Sequence, residues 1–86
     1  MLLNYSDYNI IDIRTKDKYL YGHIPDAINI NYMELLINYK KYLTKNQKYL
    51  IYCDSGTRSL SLVNRLQSLG YDVTNLTGGY NNYLRR

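Results

Sequence analysis

The chain has 86 residues, a formal net charge of +4, 45% hydrophobic and 21% charged residues, one Pro and five Gly. Against a typical domain of roughly 150 residues that length allows one small domain over 1–86 and excludes two, and the composition excludes a collagen-like or disordered chain. The positive excess is spread along the chain, with no run longer than Lys40-Lys41 and Arg85-Arg86, which excludes a nucleic-acid stripe but leaves a modest field for small anions.

Residues 9–14, Asn-Ile-Ile-Asp-Ile-Arg, are apolar and β-branched and predict a strand whose charged end, Asp12 and Arg14, lies at the carboxyl edge of a sheet. Thr15 is placed to cap a short helix over 16–21 that Gly22 ends. After Pro25 comes a second short strand over 27–30. Apolar residues Met33, Leu36, Ile37, Tyr39 and Leu43 recur about one turn apart with lysines between, which predicts one amphipathic helix over 32–43. Residues 49–53 form the most hydrophobic run, as expected for a strand buried on both faces, and Cys53 is its last residue. Leu60, Val63, Leu66 and Leu69 mark the next helix, with Gly70 as its left-handed cap. A strand over 72–76, a Gly78-Gly79 turn and a short helix over 80–84 complete the pattern. Such alternation implies an α/β fold: a central parallel sheet of about four to five strands, joined by right-handed crossovers and flanked by helices.

Open parallel sheets place their sites beyond the carboxyl ends of the strands, where Cys53 falls. The helix that begins near Thr57 or Arg58 directs its unpaired N–H groups and positive dipole end toward that cysteine. Together with the Arg58 charge, this field depresses the thiol pKa below the free value of about 8.5. Gly56 lets successive amides converge on one anion. A buried cysteine is, by residue type alone, an inert small hydrophobe; the glycine, the arginine and the helix start reverse that reading. As the lone cysteine it forms no internal disulfide, which fits a reducing compartment. The opening residues lack the features of a secretion signal and no apolar stretch reaches bilayer length, so a cytoplasmic location without membrane contact is expected. Twelve Tyr beside no Phe and no Trp read as substitute core aromatics, since a base-stacking platform would interleave basic residues on one strand face.

The segment Cys53-Asp54-Ser55-Gly56-Thr57-Arg58-Ser59 fits CxxGxRS and resembles the active-site loop of rhodanese-like domains. Ile11-Asp12-Ile13-Arg14 resembles that family's DxR strand, and residues 22–30 resemble its GHIPGAINI segment. Gly70-Tyr71 with Leu76-Thr77-Gly78-Gly79-Tyr80 resembles its closing part, so the likeness covers about residues 10–83. Asp26 stands where the family usually has Gly. A strand and helix that usually precede the DxR strand have no counterpart in the nine residues before Ile10, so an open sheet edge is expected.

What the resemblance implies is sulfurtransfer through a Cys53 persulfide. The donor would be thiosulfate or a persulfide, the acceptor a thiol, cyanide or a protein, and no metal or organic cofactor takes part. Cys53 is the nucleophile; backbone N–H groups from Asp54, Ser55, Gly56, Thr57, Arg58 and Ser59 stabilise the anionic donor and the persulfide. Hydroxyls of Ser55, Thr57 and Ser59 are further donors, Ser59 alternatively capping or packing in the first helical turn. Arg58 attracts the donor or braces the loop through a carboxylate, with Asp12 as the candidate brace. Arg14 reads as tying strand to loop rather than contacting an anion. His23 reads as structural, because an ionised thiol leaves no proton to abstract.

Two other readings share the loop. A cysteine phosphatase or arsenate reductase also cradles a thiolate beside an arginine, but with five residues between the two, where here four separate Cys53 from Arg58. A non-catalytic sulfur carrier or regulatory module would use the same loop without turnover.

Overall fold

The computed structural model describes residues 3–85; Met1, Leu2 and Arg86, at the ends of the expected 1–86 span, lie outside the described residues. Four parallel strands form the sheet: β1 (Asn9–Asp12), β2 (Ile28–Asn29), β3 (Lys48–Tyr52) and β4 (Asp72–Asn75), in the order β2-β1-β3-β4. Five helices connect or follow them: α1 (Lys16–Tyr21), α2 (Tyr32–Ile37), α3 (Tyr39–Tyr42), α4 (Thr57–Ser68) and α5 (Gly79–Tyr83). Register is uniform along the central pair, with Ile10 opposite Leu50 and Ile11 opposite Ile51.

Side chains alternate across a strand, so that register sorts the core into two layers. Ile11, Ile51 and Val73 face α2, α3 and α4, meeting Leu35, Leu43, Leu62 and Leu66. Ile10, Leu50 and Tyr52 face the other way, with Ile24 and Ala27 and, at their margin, Tyr19, Tyr80 and Tyr83. Leu50, Ile51 and Tyr52 are fully buried, as a strand covered on both faces requires. Tyrosine does serve as the core aromatic: Tyr49, Tyr52 and Tyr71 are buried, and most of the others border one of the two layers.

Several boundaries differ from those the sequence predicts. The helix expected over 32–43 is broken at Asn38, whose backbone (φ −111°, ψ 35°) leaves the helical region. Asn38 closes α2 by giving its N–H to the Glu34 carbonyl, and the new start lets Leu43 turn into the core. Thr15 precedes α1 but makes no side-chain capping bond. On α4 the buried face runs through Ser59, Leu62, Val63 and Leu66, while Leu60 is 49% exposed. Turning Ser59 inward fixes this rotation, because residues three, four and seven positions on share its face and Leu60 does not. Asp26, in place of the resembled glycine, adopts the left-handed φ of 72° that glycine takes most readily.

β4 pairs only with β3 among the described residues, which makes it one edge of the sheet. Gln67 of α4 covers part of it by donating Nε2–H to the Val73 carbonyl at 2.9 Å. No helix among the described residues is long and apolar enough to cross a membrane.

Candidate active site

β3 ends at Tyr52, one residue before its predicted end, because the Cys53 carbonyl accepts the N–H of Tyr80 at 2.9 Å instead of a strand partner. Asp54 follows suit, its carbonyl taken by the Asn81 N–H at 2.9 Å. The start of α5 thereby holds both carbonyls. The chain then reverses at Gly56, which sits in the left-handed region (φ 90°) directly before α4. A side chain there would press on the Gly78 and Gly79 backbone nitrogens at 2.9 and 3.2 Å. Gly79 is tighter still: a Cβ would lie 2.5 Å from the carbonyl oxygens of both Cys53 and Asp54. The two glycine-bearing segments are therefore packed backbone against backbone.

This geometry brings donors onto the sulfur. Cys53 is 6% exposed, and its Sγ accepts N–H bonds from Gly56 at 3.2 Å and Ser59 at 3.4 Å, with Ser59 Oγ also 3.4 Å away. Burial pushes the thiol pKa up, but the Ser59 hydroxyl and the N–H groups of Ser59, Gly56 and Arg58 outweigh it, so the pKa falls below the ordinary thiol value. The expected direction holds. Its source in Arg58 is the backbone amide; the guanidinium lies 4.9 Å above the Tyr32 ring.

No side chain of Asp54, Ser55 or Thr57 hydrogen-bonds to the sulfur. Asp54 pairs with Lys18 at 2.5 Å and lies 3.6 Å from Arg14, so its carboxylate forms part of the rim. Ser55 and Thr57 engage each other, Ser55 Oγ to Thr57 Oγ1 at 3.3 Å and the Thr57 N–H to Ser55 Oγ at 3.4 Å. A cavity of about 170 Å³ is lined by Cys53 together with Arg14, Lys18, Tyr32, Asp54 and Arg58 among others. Larger hollows of about 310 and 370 Å³, beside Tyr8 and Asp26, contain neither the thiol nor its converging amides.

Asp12 does not brace Arg58. Its carboxylate is buried and fully engaged by Arg14, whose Nε contacts both oxygens at 3.0 Å and whose Nη2 reaches Oδ2 at 2.7 Å. Tyr52 donates its hydroxyl to the same oxygen at 2.8 Å, and burial, together with this acceptor, raises the phenol pKa far above its usual value. Arg14 also donates to the Gly22 carbonyl at 2.6 Å and stacks 4.3 Å above Tyr80, which is the strand-to-loop tie the sequence suggests. His23 is structural as well: its Nδ1 lies 2.7 Å from the Tyr19 carbonyl and its ring stacks on Tyr19 at 3.8 Å.

One contributor escapes sequence reading altogether. Asn75, at the end of β4, accepts the Ser59 hydroxyl at 2.5 Å and donates to the Gly56 carbonyl at 3.2 Å. Nothing in the spacing of an asparagine on an edge strand signals this, because the contact is made only when β4 and α4 pack together.

Comparison with known proteins follows the same outline. The Rhodanese-like domain profile matches residues 2–86. A sulfurtransferase of Allochromatium vinosum is 37% identical over 79 residues, covering 91% of this chain and 73% of that protein. The thiosulfate sulfurtransferase GlpE of Coxiella burnetii is 32% identical over 80 residues, covering 92% and 74% respectively. Two plant relatives are longer, and the chain spans about half their length, 46% and 47%. Among solved structures, the rhodanese-related protein of Thermoplasma volcanium superposes with a TM-score of 0.86 at 30% identity, over 93% of this chain and 79% of that one.

Proposed function

The chain belongs to the rhodanese-like domain family, and from that premise we propose that it is a sulfurtransferase working through a persulfide on Cys53. The observation that carries this reading is the sulfur itself, lying under the N–H groups of Gly56 and Ser59 at the floor of a small cationic-rimmed cavity. The thiolate attacks the sulfane sulfur of thiosulfate or of an organic persulfide. A new S–S bond forms on Cys53, the donor's S–S bond breaks, and sulfite or a thiolate departs with the electron pair. An acceptor thiolate or cyanide then attacks the outer sulfur and returns Cys53 as thiolate. Arg14 and Lys18 are held by Asp12 and Asp54, which leaves Arg58 as the rim cation with no carboxylate partner among the described residues. It draws the anionic donor inward. Amides fixed before the reaction stabilise the transferred sulfur without reorganising.

Mass spectrometry after exposure to thiosulfate tests the reading directly. One added sulfur, about 32 Da, is expected on Cys53 and absent from Cys53→Ser. Steady thiocyanate release with cyanide marks turnover. Loading without release would instead identify a sulfur carrier, and no loading by any sulfane donor would sink the proposal.

A further inference from the structure

We propose that Asn75 is a positioning residue for Cys53: it holds the Ser59 hydroxyl proton away from the sulfur while Cys53 is a thiol, and yields that proton to the sulfur once Cys53 is a thiolate or persulfide. The argument starts from a carbonyl. Gly56 C=O only accepts, and it takes the Leu60 N–H at 3.1 Å and Asn75 Nδ2 at 3.2 Å. This fixes the orientation of the Asn75 amide, so its oxygen must be the atom 2.5 Å from Ser59 Oγ. A carboxamide oxygen also only accepts, which places the one Ser59 hydroxyl proton on the Asn75 side.

The sulfur, 3.4 Å from Ser59 Oγ on the other side, then faces a lone pair. A thiol satisfies that arrangement by donating S–H into it. A thiolate does not, since two electron-rich atoms would oppose each other. Rotation about the Ser59 Cβ–Oγ bond removes the conflict at the sulfur: the hydroxyl turns to it, no proton changes owner, and the Asn75 oxygen, now facing a Ser59 lone pair, draws back from the 2.5 Å contact while Nδ2 stays on the Gly56 carbonyl. Ser59 is fully buried, and these are the two side-chain partners of its hydroxyl. Asn75 thus competes with the sulfur for one donor, and its effect on thiol acidity runs through the Ser59 hydroxyl, which makes the proposal testable.

Charged and titratable groups facing Cys53 from the surrounding elements are Arg14 after β1, Lys18 of α1, Tyr32 of α2, Asp54 of the loop and Arg58 of α4. None of them hydrogen-bonds to Asn75, so substitution at Asn75 leaves their field in place.

The proposal rests on the sulfurtransfer reading only for its persulfide stage, so the test reads the thiol without any sulfur donor. The rate of Cys53 alkylation by iodoacetamide is followed against pH in the wild type, Asn75→Val, Ser59→Ala and the double variant, with Asn75→Ala as a second substitution should valine not fold. The midpoint is expected to move to lower pH by roughly half a unit or more in Asn75→Val, the scale of one hydrogen bond. In Ser59→Ala it moves to higher pH, and the double variant coincides with Ser59→Ala. An unchanged or raised midpoint in both Asn75 variants would overturn the proposal, as would an unchanged midpoint in Ser59→Ala or additive shifts in the double variant. If these shifts occur and no sulfane donor loads Cys53, the sulfurtransfer reading falls and the positioning role stands.

Discussion

Arg58 and Arg14 line the same cavity as Cys53 and do different work, because only one of them is buried beside a carboxylate. Arg58 is exposed and its guanidinium stacks on Tyr32, a contact worth about 0.5–1 kcal/mol at such a site. Arg58→Ala should therefore leave the thermal midpoint nearly unchanged. It should raise KM for thiosulfate several-fold and flatten its dependence on salt, both read from steady-state kinetics at two ionic strengths. Asp12 is the opposite case. Asp12→Ala leaves the Arg14 charge and the Tyr52 hydroxyl buried without their shared acceptor, a loss of about 3–5 kcal/mol that urea denaturation would register as a much lower midpoint. A change below about 1 kcal/mol would show that the buried pair is not what holds this end of the sheet. The placement of Cys53, Gly56 and Ser59 in one loop was legible in the sequence because a local spacing encodes the local loop. Asp12 was misassigned, since spacing identifies a charged residue near a strand end but not which cation packing will deliver to it.

At the level of elements, the Gly78-Gly79 turn reads in sequence as a mere reversal, and in the fold it is the wall against which the cysteine loop is set. Gly79→Ala places a methyl group 2.5 Å from two carbonyl oxygens, at a φ of 62° that already disfavours a side chain. The expected result is a drop of about 2 kcal/mol or more in stability together with slower alkylation of Cys53, measured by melting and by iodoacetamide kinetics. Wild-type alkylation in a destabilised protein would detach the turn from the thiol. The break at Asn38 was not legible because the apolar rhythm of residues 32–43 continues through it, and side-chain periodicity is silent about one residue's ψ. The rotation of α4 was hidden for a related reason. Leu60, Leu62, Val63, Leu66 and Leu69 offer more apolar positions than one face accommodates, and the polar Ser59 decides which of them turn inward.

For the whole molecule, the alternation of short apolar runs with helical patterns was enough to predict a parallel sheet of about four to five strands flanked by helices, because each connection must cross over to return; the fold has four. Ionisation links the thiol to the stability of that fold. A cysteine whose pKa is lowered on folding releases its proton more readily in the native state, so the unfolded chain binds more protons between the native value and the free value of about 8.5. Stability from this group is full above the free value and disappears as pH falls through the native one. Denaturation free energies should accordingly rise with pH across that window in the wild type more steeply than in Cys53→Ser; equal slopes would mean that the cradle does not favour the thiolate. The grip of α5 on the Cys53 and Asp54 carbonyls has a temporal consequence as well. During vectorial synthesis the nucleophile, Cys53, is made 26 residues before Gly79, the start of the helix that sets its loop, roughly one to five seconds at ordinary elongation rates. Until that helix docks, the Cys53 and Asp54 carbonyls lack the N–H partners that hold the loop in place.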